Sequence, residues 1–145
     1  VGGPFGEGAR RPVVPSPTPG VDRGVIGTVN PETIGLGEET VDRLDQIGPA
    51  LRRCWKPPAL QAGDGAAASV RFSLRRDGTL FGQPRVTWEM RRAPPGLLER
   101  FTDSLMRAVR DCTPMRLSPG LGGSIAGRPI TIRFFGRVPT NERSV

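Results

Sequence analysis

Cys54 and Cys112 are the residues whose type and spacing most directly suggest chemistry. Each ends an amphipathic stretch and precedes a proline, in the runs Cys54-Trp55-Lys56-Pro57 and Cys112-Thr113-Pro114. We predict a structural disulfide that joins the ends of two helices across a small sheet. The alternative is a redox-active pair, although the Cys-x-x-Cys spacing of such pairs is absent. Structural disulfides persist in oxidising compartments, so the pair predicts a location outside the cytosol.

The rest of the composition argues against an enzyme. The chain contains no histidine, which excludes Ser-His and Cys-His nucleophile pairs and histidine-containing zinc sites. Its 14 acidic residues do not cluster along the sequence as paired catalytic carboxylates would. The run Gly120-Leu121-Gly122-Gly123 matches neither phosphate-loop pattern. We therefore predict a non-enzymatic binding module with no cofactor, no metal and no small-molecule substrate.

The charge balance leaves a second class of function open. The formal net charge is +7, and all but one of the 21 basic residues are arginine. A basic surface can bind nucleic acid, anionic lipid or acidic proteins, and outward-facing Arg71, Arg75, Arg85 and Arg91 could form a stripe. The cations are dispersed, however, and no aromatic residue is clearly interleaved for base stacking. A nucleic-acid or anionic-surface binder is thus an alternative, and arginine usage can also reflect a GC-rich genome.

Proline and glycine divide the chain into parts. More than half of the 20 glycines and 16 prolines lie in residues 1–37 and 117–129. The first stretch is too poor in apolar residues to fold, so we predict a disordered linker over 1–37. A folded domain over 38–138 and a flexible tail over 139–145 follow. No run approaches the roughly 18 apolar residues of a membrane span, so we expect membrane anchoring only through an upstream segment.

Apolar residues at spacings of three and four predict two amphipathic helices. The first runs from Glu38 to Cys54, with a kink or break at Gly48-Pro49. The second runs from Pro95 to Cys112. Their inward faces carry Val41, Leu44, Ile47, Leu51 and Cys54 in the first helix, and Leu98, Phe101, Leu105, Ala108, Val109 and Cys112 in the second.

Alternating apolar residues predict three strands. The first two span residues 69–75 and 79–88. A three-residue loop with Gly78 in the left-handed conformation would pair Leu74 with Leu80 and Ala68 with Val86. Pro84 cannot donate to a ladder, which places the second strand at an edge. The third strand runs from Ile130 to Phe134 after a glycine-rich loop. Trp55 and Trp88 are expected in the core, and the alternative is that they are contact anchors for a partner.

The order of these elements predicts an α+β fold of αββαβ type. The third strand must pair with the first, which gives a three-stranded antiparallel sheet of order 2-1-3 with both helices packed on one face. Its third strand has the freer edge, which is either open or covered by the C-terminal tail or a loop. An open edge would bind a partner segment by β-strand addition. The candidate partner-binding residues are Ile130, Thr131, Ile132, Arg133, Phe134 and Phe135.

Three short motifs follow one another along the chain: Cys54-Trp55-x-Pro57, Asp77-Gly78-Thr79-Leu80 with Pro84-x-Val86, and Arg107-Ala108-Val109-Arg110-x-Cys112-x-Pro114. In this order they resemble the C-terminal domain of TolA in its alphaproteobacterial versions, within the TonB/TolA C-terminal superfamily. The resemblance covers Val41 to Phe135. The Tyr-Pro that usually follows the first helix in the related TonB domain is absent.

The resemblance implies a periplasmic domain of the cell envelope, tethered to the inner membrane in the full-length protein. Its implied role is membrane integrity, as the linker of a Tol-Pal type system that reaches TolB- or Pal-like proteins at the outer membrane. Colicins and phage proteins are further implied partners, and nucleic acid is not expected. The alternatives are a TonB-like energy transducer that contacts outer-membrane receptors and a divergent paralogue with another partner.

Overall fold

The computed structural model describes residues 24–37 and 39–140, and in this part of the chain it contains four strands and three α-helices. The α+β class is confirmed. Glu38, most of the predicted linker and the last part of the predicted tail lie outside the described residues. The strands are β1 (Val25–Val29), β2 (Gly65–Ser73), β3 (Arg85–Arg92) and β4 (Pro129–Arg137); the helices are α1 (Ile47–Cys54), α2 (Pro95–Asp111) and α3 (Pro119–Ile125).

The strands form one sheet of order β1-β4-β2-β3. β2 pairs antiparallel with both β3 and β4, as predicted for the first strand with the second and third. β1 pairs with β4 in parallel, from Val25 beside Thr131 to Val29 beside Phe134. The prediction of a three-stranded, wholly antiparallel sheet is therefore wrong, because a fourth strand is added in parallel beyond β4.

Strand β1 comes from within residues 1–37, where composition predicts a linker. Three of its five residues, Val25, Ile26 and Val29, are β-branched and apolar, which suits a half-buried strand. Val29 is fully buried and lies against Gly48 of α1. Pairing with β4 supplies the hydrogen bonds that this segment cannot make alone, so tertiary contacts outweigh the local composition here.

The first helix begins later than predicted. A 3₁₀ turn (Leu44–Gln46) leads into α1, while Val41 forms a parallel β-bridge with Leu117. Pro49 explains the shift, because α1 places it in the first turn, where no intrahelical partner for its missing N–H is needed.

Helix α2 confirms the second predicted helix, and its buried residues Phe101, Leu105, Ala108 and Val109 meet the sheet in a common core. Trp55 is buried, donates its indole N–H to Ser104 Oγ at 2.9 Å and meets the Phe134 ring edge-on at 4.9 Å. Trp88 is half-buried and stacks on Phe101 at 5.9 Å. The placement of Trp55 in the core is confirmed, and Trp88 packs at the margin of that core.

The glycine-rich segment after Leu117 is not the predicted loop but contains α3. Ser118 precedes the helix and its Oγ accepts a hydrogen bond from the backbone N–H of Leu121 at 3.2 Å. Leu121 and Ile125 are buried in the core. This short helix is thus held by its cap and by burial rather than by helix propensity.

The hairpin between β2 and β3 has the predicted tip and a different register further along. Gly78 has a φ of 87°, and Leu74 pairs with Leu80, as predicted. Val86, however, pairs with Val70 instead of Ala68. Phe81 still donates its backbone N–H to the Ser73 carbonyl at 2.9 Å, and residues 82–84 then leave the ladder, because Gly82 turns the chain at a φ of 81° and Pro84 cannot donate a hydrogen bond.

Candidate functional site

The predicted partner-binding residues all lie in β4, which has a strand on each side. Ile130, Ile132 and Phe134 point into the core, and Thr131, Arg133 and Phe135 alternate with them on the other side of the sheet. β2 pairs with one edge of β4 and β1 with the other. Of the two expected alternatives for this edge, open or covered, the structure shows a covered edge, and the covering segment is β1 rather than the C-terminal tail or a loop.

The two edges of β4 are paired to different extents. On the β2 side the ladder runs over nine successive positions, from Gly65 beside Arg137 to Ser73 beside Pro129. On the β1 side three positions are paired, and the register shifts between Val25 and Thr28. The β1 side is thus the shorter and less regular of the two.

Strand β3 forms an outer edge of the sheet and carries features that protect such edges. It begins directly after Pro84, which confirms its predicted place at an edge. Met90 lies beside Ala67 while Trp88 lies beside Ala68, so Glu89 is the extra residue of a β-bulge. A proline, a bulge and several arginines all disfavour pairing with another strand.

The side of the sheet away from the core is here named the open face. Its residues come from all four strands and are mostly polar or basic. They are Val25 and Thr28 of β1, Gly65, Ala67, Ser69, Arg71 and Ser73 of β2, Arg85, Thr87, Glu89, Met90 and Arg92 of β3, and Pro129, Thr131, Arg133, Phe135 and Arg137 of β4.

The centre of the open face is a closed polar cluster that connects three strands. Glu89 accepts a hydrogen bond from Ser69 Oγ at 2.7 Å and an ion-paired one from Arg133 Nε at 2.5 Å. The Glu89 side chain is 11% exposed and that of Arg133 27% exposed. The Arg133 guanidinium also lies over the Phe135 ring, 5.4 Å from its centroid. The centre is therefore neutral and largely shielded from water.

Both ends of the open face are basic. At one end Arg71 and Arg85 are exposed, directly opposite each other, and no acid of the described residues forms an ion pair with them. At the other end Arg92 and Arg137 lie on either side of Gly65 and line a small cleft together with Asp64. The Asp64 carboxylate accepts the backbone N–H of Gln61 at 2.9 Å.

The stripe of four arginines suggested by the sequence does not form. Arg71 and Arg85 lie on the open face, but Arg75 bonds to the Leu80 carbonyl at the hairpin and Arg91 lies over the Trp88 ring. Arg92 and Arg137 were missed. The bulge at Glu89 reverses the alternation after it, so counting residues along β3 could not have placed Arg92 on this face.

The predicted disulfide between Cys54 and Cys112 is confirmed, with a Cα–Cα distance of 5.8 Å. It joins the last residue of α1 to the residue after α2. Both cysteines are half-buried against the core. Nothing in residues 24–37 and 39–140 is a helix both long and apolar enough to cross a membrane.

At the hairpin tip, Asp77 stabilises the turn. Its carboxylate accepts hydrogen bonds from Thr79 Oγ1 at 2.6 Å and from the Thr79 backbone N–H at 3.0 Å. These bonds lower the pKa of Asp77 below its ordinary value of 3.8.

Comparison with known proteins relates most of this architecture to one family. Residues 37–138 match the model of a family described as uncharacterised conserved protein UCP034077. The chain belongs to this family. No curated protein and no solved structure matches the chain. The region matched by UCP034077 contains β2, β3, β4 and the three helices, whereas β1 precedes it.

Proposed function

We propose that the chain is a non-enzymatic protein-binding domain of the cell envelope, which binds an extended partner segment by β-strand addition to β4. One observation carries this proposal: β1, a segment remote in sequence, is already added to that edge in parallel. β1 lies outside the region matched by the family, so that region supplies no strand of its own for this edge. In the proposed mechanism β1 covers the edge until a partner segment replaces it.

Replacing β1 by a partner segment gains backbone hydrogen bonds and loses the burial of Val29. A partner segment, called the guest, would form more backbone hydrogen bonds than β1 if it paired along all nine residues of β4. Each of these bonds contributes about 1 kcal/mol net. Releasing Val29 from the core costs roughly 1.5–3 kcal/mol. The guest must therefore place a residue such as valine or isoleucine beside Phe134, where Val29 lies.

The disulfide and the resemblance to the TolA C-terminal domain support the cellular setting of this proposal. A structural disulfide favours an oxidising compartment. Within a Tol-Pal type system the domain would be periplasmic, tethered to the inner membrane through an upstream segment, and its partners would be TolB- or Pal-like proteins. A TonB-like transducer would use the same edge for an outer-membrane receptor.

The test is an NMR titration of the oxidised, isotope-labelled chain with the N-terminal segment of the TolB-like protein of the same organism. We expect amide shifts across residues 130–135 and displacement of the β1 signals, both retained at about 150 mM salt. An unchanged β4, or shifts confined to arginines that vanish with salt, would contradict the proposal.

A second disulfide supplies the matched control. Val25 and Thr131 are partners on adjacent strands, so Val25→Cys with Thr131→Cys should lock β1 onto β4. We expect the locked chain to lose binding and the Val25→Ser, Thr131→Ser chain to keep it. Binding by the locked chain would instead place the guest at the edge of β3.

A further inference from the structure

The open face has a charge pattern that strand addition does not use. We propose that it binds an acidic polypeptide segment, with carboxylates at the two ends of the face and uncharged residues between them. This site is on the face of the sheet rather than at the edge of β4, so it is independent of the function proposed above.

The first argument is the placement of like charges. Arg71 and Arg85 are direct cross-strand neighbours, an arrangement that destabilises a sheet when both residues carry the same charge. Arg92 and Arg137 lie on the two strands that flank Gly65, with the Met90 sulfur over that glycine and Asp64 in the same cleft, so this end has two arginines and one acid. A bound carboxylate would relieve the repulsion between Arg71 and Arg85, and carboxylates at both ends would accept guanidinium hydrogen bonds.

The second argument is the distance between the two ends. Gly65 and Arg71 are six residues apart on β2, which corresponds to about 20 Å along an extended strand. A peptide that runs along β2 has the same rise per residue. Acidic residues about six positions apart would therefore reach both arginine pairs at once.

The third argument is the charge at the centre of the open face, which determines the class of ligand that can bind across it. Arg133 is already paired with Glu89, and Glu89 would repel an anion placed above it. Single-stranded nucleic acid carries a phosphate at every nucleotide and cannot leave this centre uncharged. The one aromatic ring of the face, Phe135, lies beneath Arg133 and offers no free stacking surface. An anionic bilayer is likewise charged throughout, whereas a polypeptide can place its charges only at the ends.

The test compares two synthetic peptides of identical composition with the full, oxidised chain at low salt. One has two glutamates at each end of five serines, and the other has its four glutamates in a row followed by the serines. We expect the spaced peptide to bind roughly fivefold more tightly, the scale of one well-placed surface ion pair. Shifts of the arginine Nε–Hε signals would report the contact. Equal affinities would overturn the proposal.

Matched variants separate this site from general electrostatic attraction. Arg71→Gln with Arg85→Gln should abolish the preference for the spaced peptide. Arg107→Gln with Arg110→Gln removes the same charge from exposed positions of α2 and should leave that preference intact. The same loss in both double variants would overturn the proposal.

Two further probes test the class of ligand. A thymidine dodecanucleotide, or vesicles of phosphatidylglycerol and phosphatidylcholine, that bound more tightly than the spaced peptide would overturn the assignment to a polypeptide. The Arg71→Gln, Arg85→Gln chain keeps the backbone of β4 unchanged and should bind the TolB-like segment normally. Loss of peptide binding at the open face is thereby distinguished from loss of partner binding by β-strand addition.

Discussion

Glu89 is the residue on which the centre of the open face depends. Its two carboxylate oxygens bond to Ser69 and Arg133, so one side chain connects β2, β3 and β4. Because it is only 11% exposed, these partners rather than water compensate its charge. The cluster keeps β2 covered by polar groups whose hydrogen bonds are satisfied.

Replacing Glu89 by glutamine should destabilise the fold. Glu89→Gln leaves Arg133 without its counter-charge, and we expect the free energy of unfolding to fall by about 1–3 kcal/mol in urea titrations. Glu99→Gln, at an exposed position of α2, is the control and should change it by less than about 0.5 kcal/mol. Equal effects of the two variants would show that the Glu89 ion pair contributes nothing.

Asp77 should make the stability of the hairpin depend on pH. Its folded-state pKa is lowered by the bonds from Thr79, so folding favours the carboxylate. This contribution is present above the ordinary pKa of 3.8 and is lost as the pH falls through the lower folded-state value. The stability difference between the native chain and Asp77→Asn should therefore shrink over that range. A carboxyl pKa at or above 3.8, measured by NMR, would contradict this.

Among the elements, the β2–β3 hairpin contains two glycines with positive φ whose surroundings differ. A Cβ at Gly78 would lie 1.8 Å from the Met115 carbonyl oxygen, whereas a Cβ at Gly82 would meet nothing within 4 Å. Gly78 also accepts the backbone N–H of Met115 at 2.8 Å. The hairpin tip is thereby packed against the chain that follows α2.

Alanine at these two positions should therefore have different effects. Gly82→Ala should cost only the backbone strain of a left-handed residue, about 1–2 kcal/mol. Gly78→Ala adds the clash and should exceed about 4 kcal/mol, or prevent folding. Thermal unfolding measures both, and similar melting temperatures would refute the close packing at Gly78.

Elements with a strong local pattern could be predicted, and elements held by distant contacts could not. Helix α2, the alternation of β4 and the tip at Gly78 follow from apolar spacing and turn chemistry. Helix α3 has three glycines in seven residues, and Gly122 is required because a Cβ would lie 2.6 Å from the Arg76 carbonyl oxygen. That requirement is set by a residue far away in sequence, so no local pattern reveals it.

In the candidate sites too, features set by a local pattern could be predicted and features set by distant contacts could not. The inward positions of β4 were predictable from alternation, but its occupied edge was not, because β1 is held by contacts with α1, the preceding 3₁₀ turn and β4, which bury Val29. The arginine pairs depend on strand register and on the bulge at Glu89. Register is set by the pairing of whole strands, which a single sequence specifies only weakly.

For the molecule as a whole, the disulfide is the longest-range covalent constraint in the described chain. It closes a loop over a sequence separation of 58 residues that includes β2, β3 and α2. The chain-entropy estimate for a loop of this length is about 4 kcal/mol.

Removing the disulfide should lower the free energy of unfolding by about this amount. We expect Cys54→Ala with Cys112→Ala to lose about 4 kcal/mol in denaturant titrations. The native chain unfolded under reducing conditions is the control and should show a comparable loss. A change below about 1 kcal/mol would mean that the α1 and α2 ends are held by packing alone.

The parallel direction of β1 and β4 also determines how the molecule would carry mechanical load. The chain enters β1 beside the start of β4 and leaves β4 at the opposite end of the sheet. Tension between the two chain ends would therefore pull these strands past each other along their length. Their hydrogen bonds would be loaded together, in shear, instead of breaking one after another. The β1–β4 pairing is thus the contact that resists a pull between the two ends of the chain. The force that ruptures this pairing sets the tension at which β4 is uncovered.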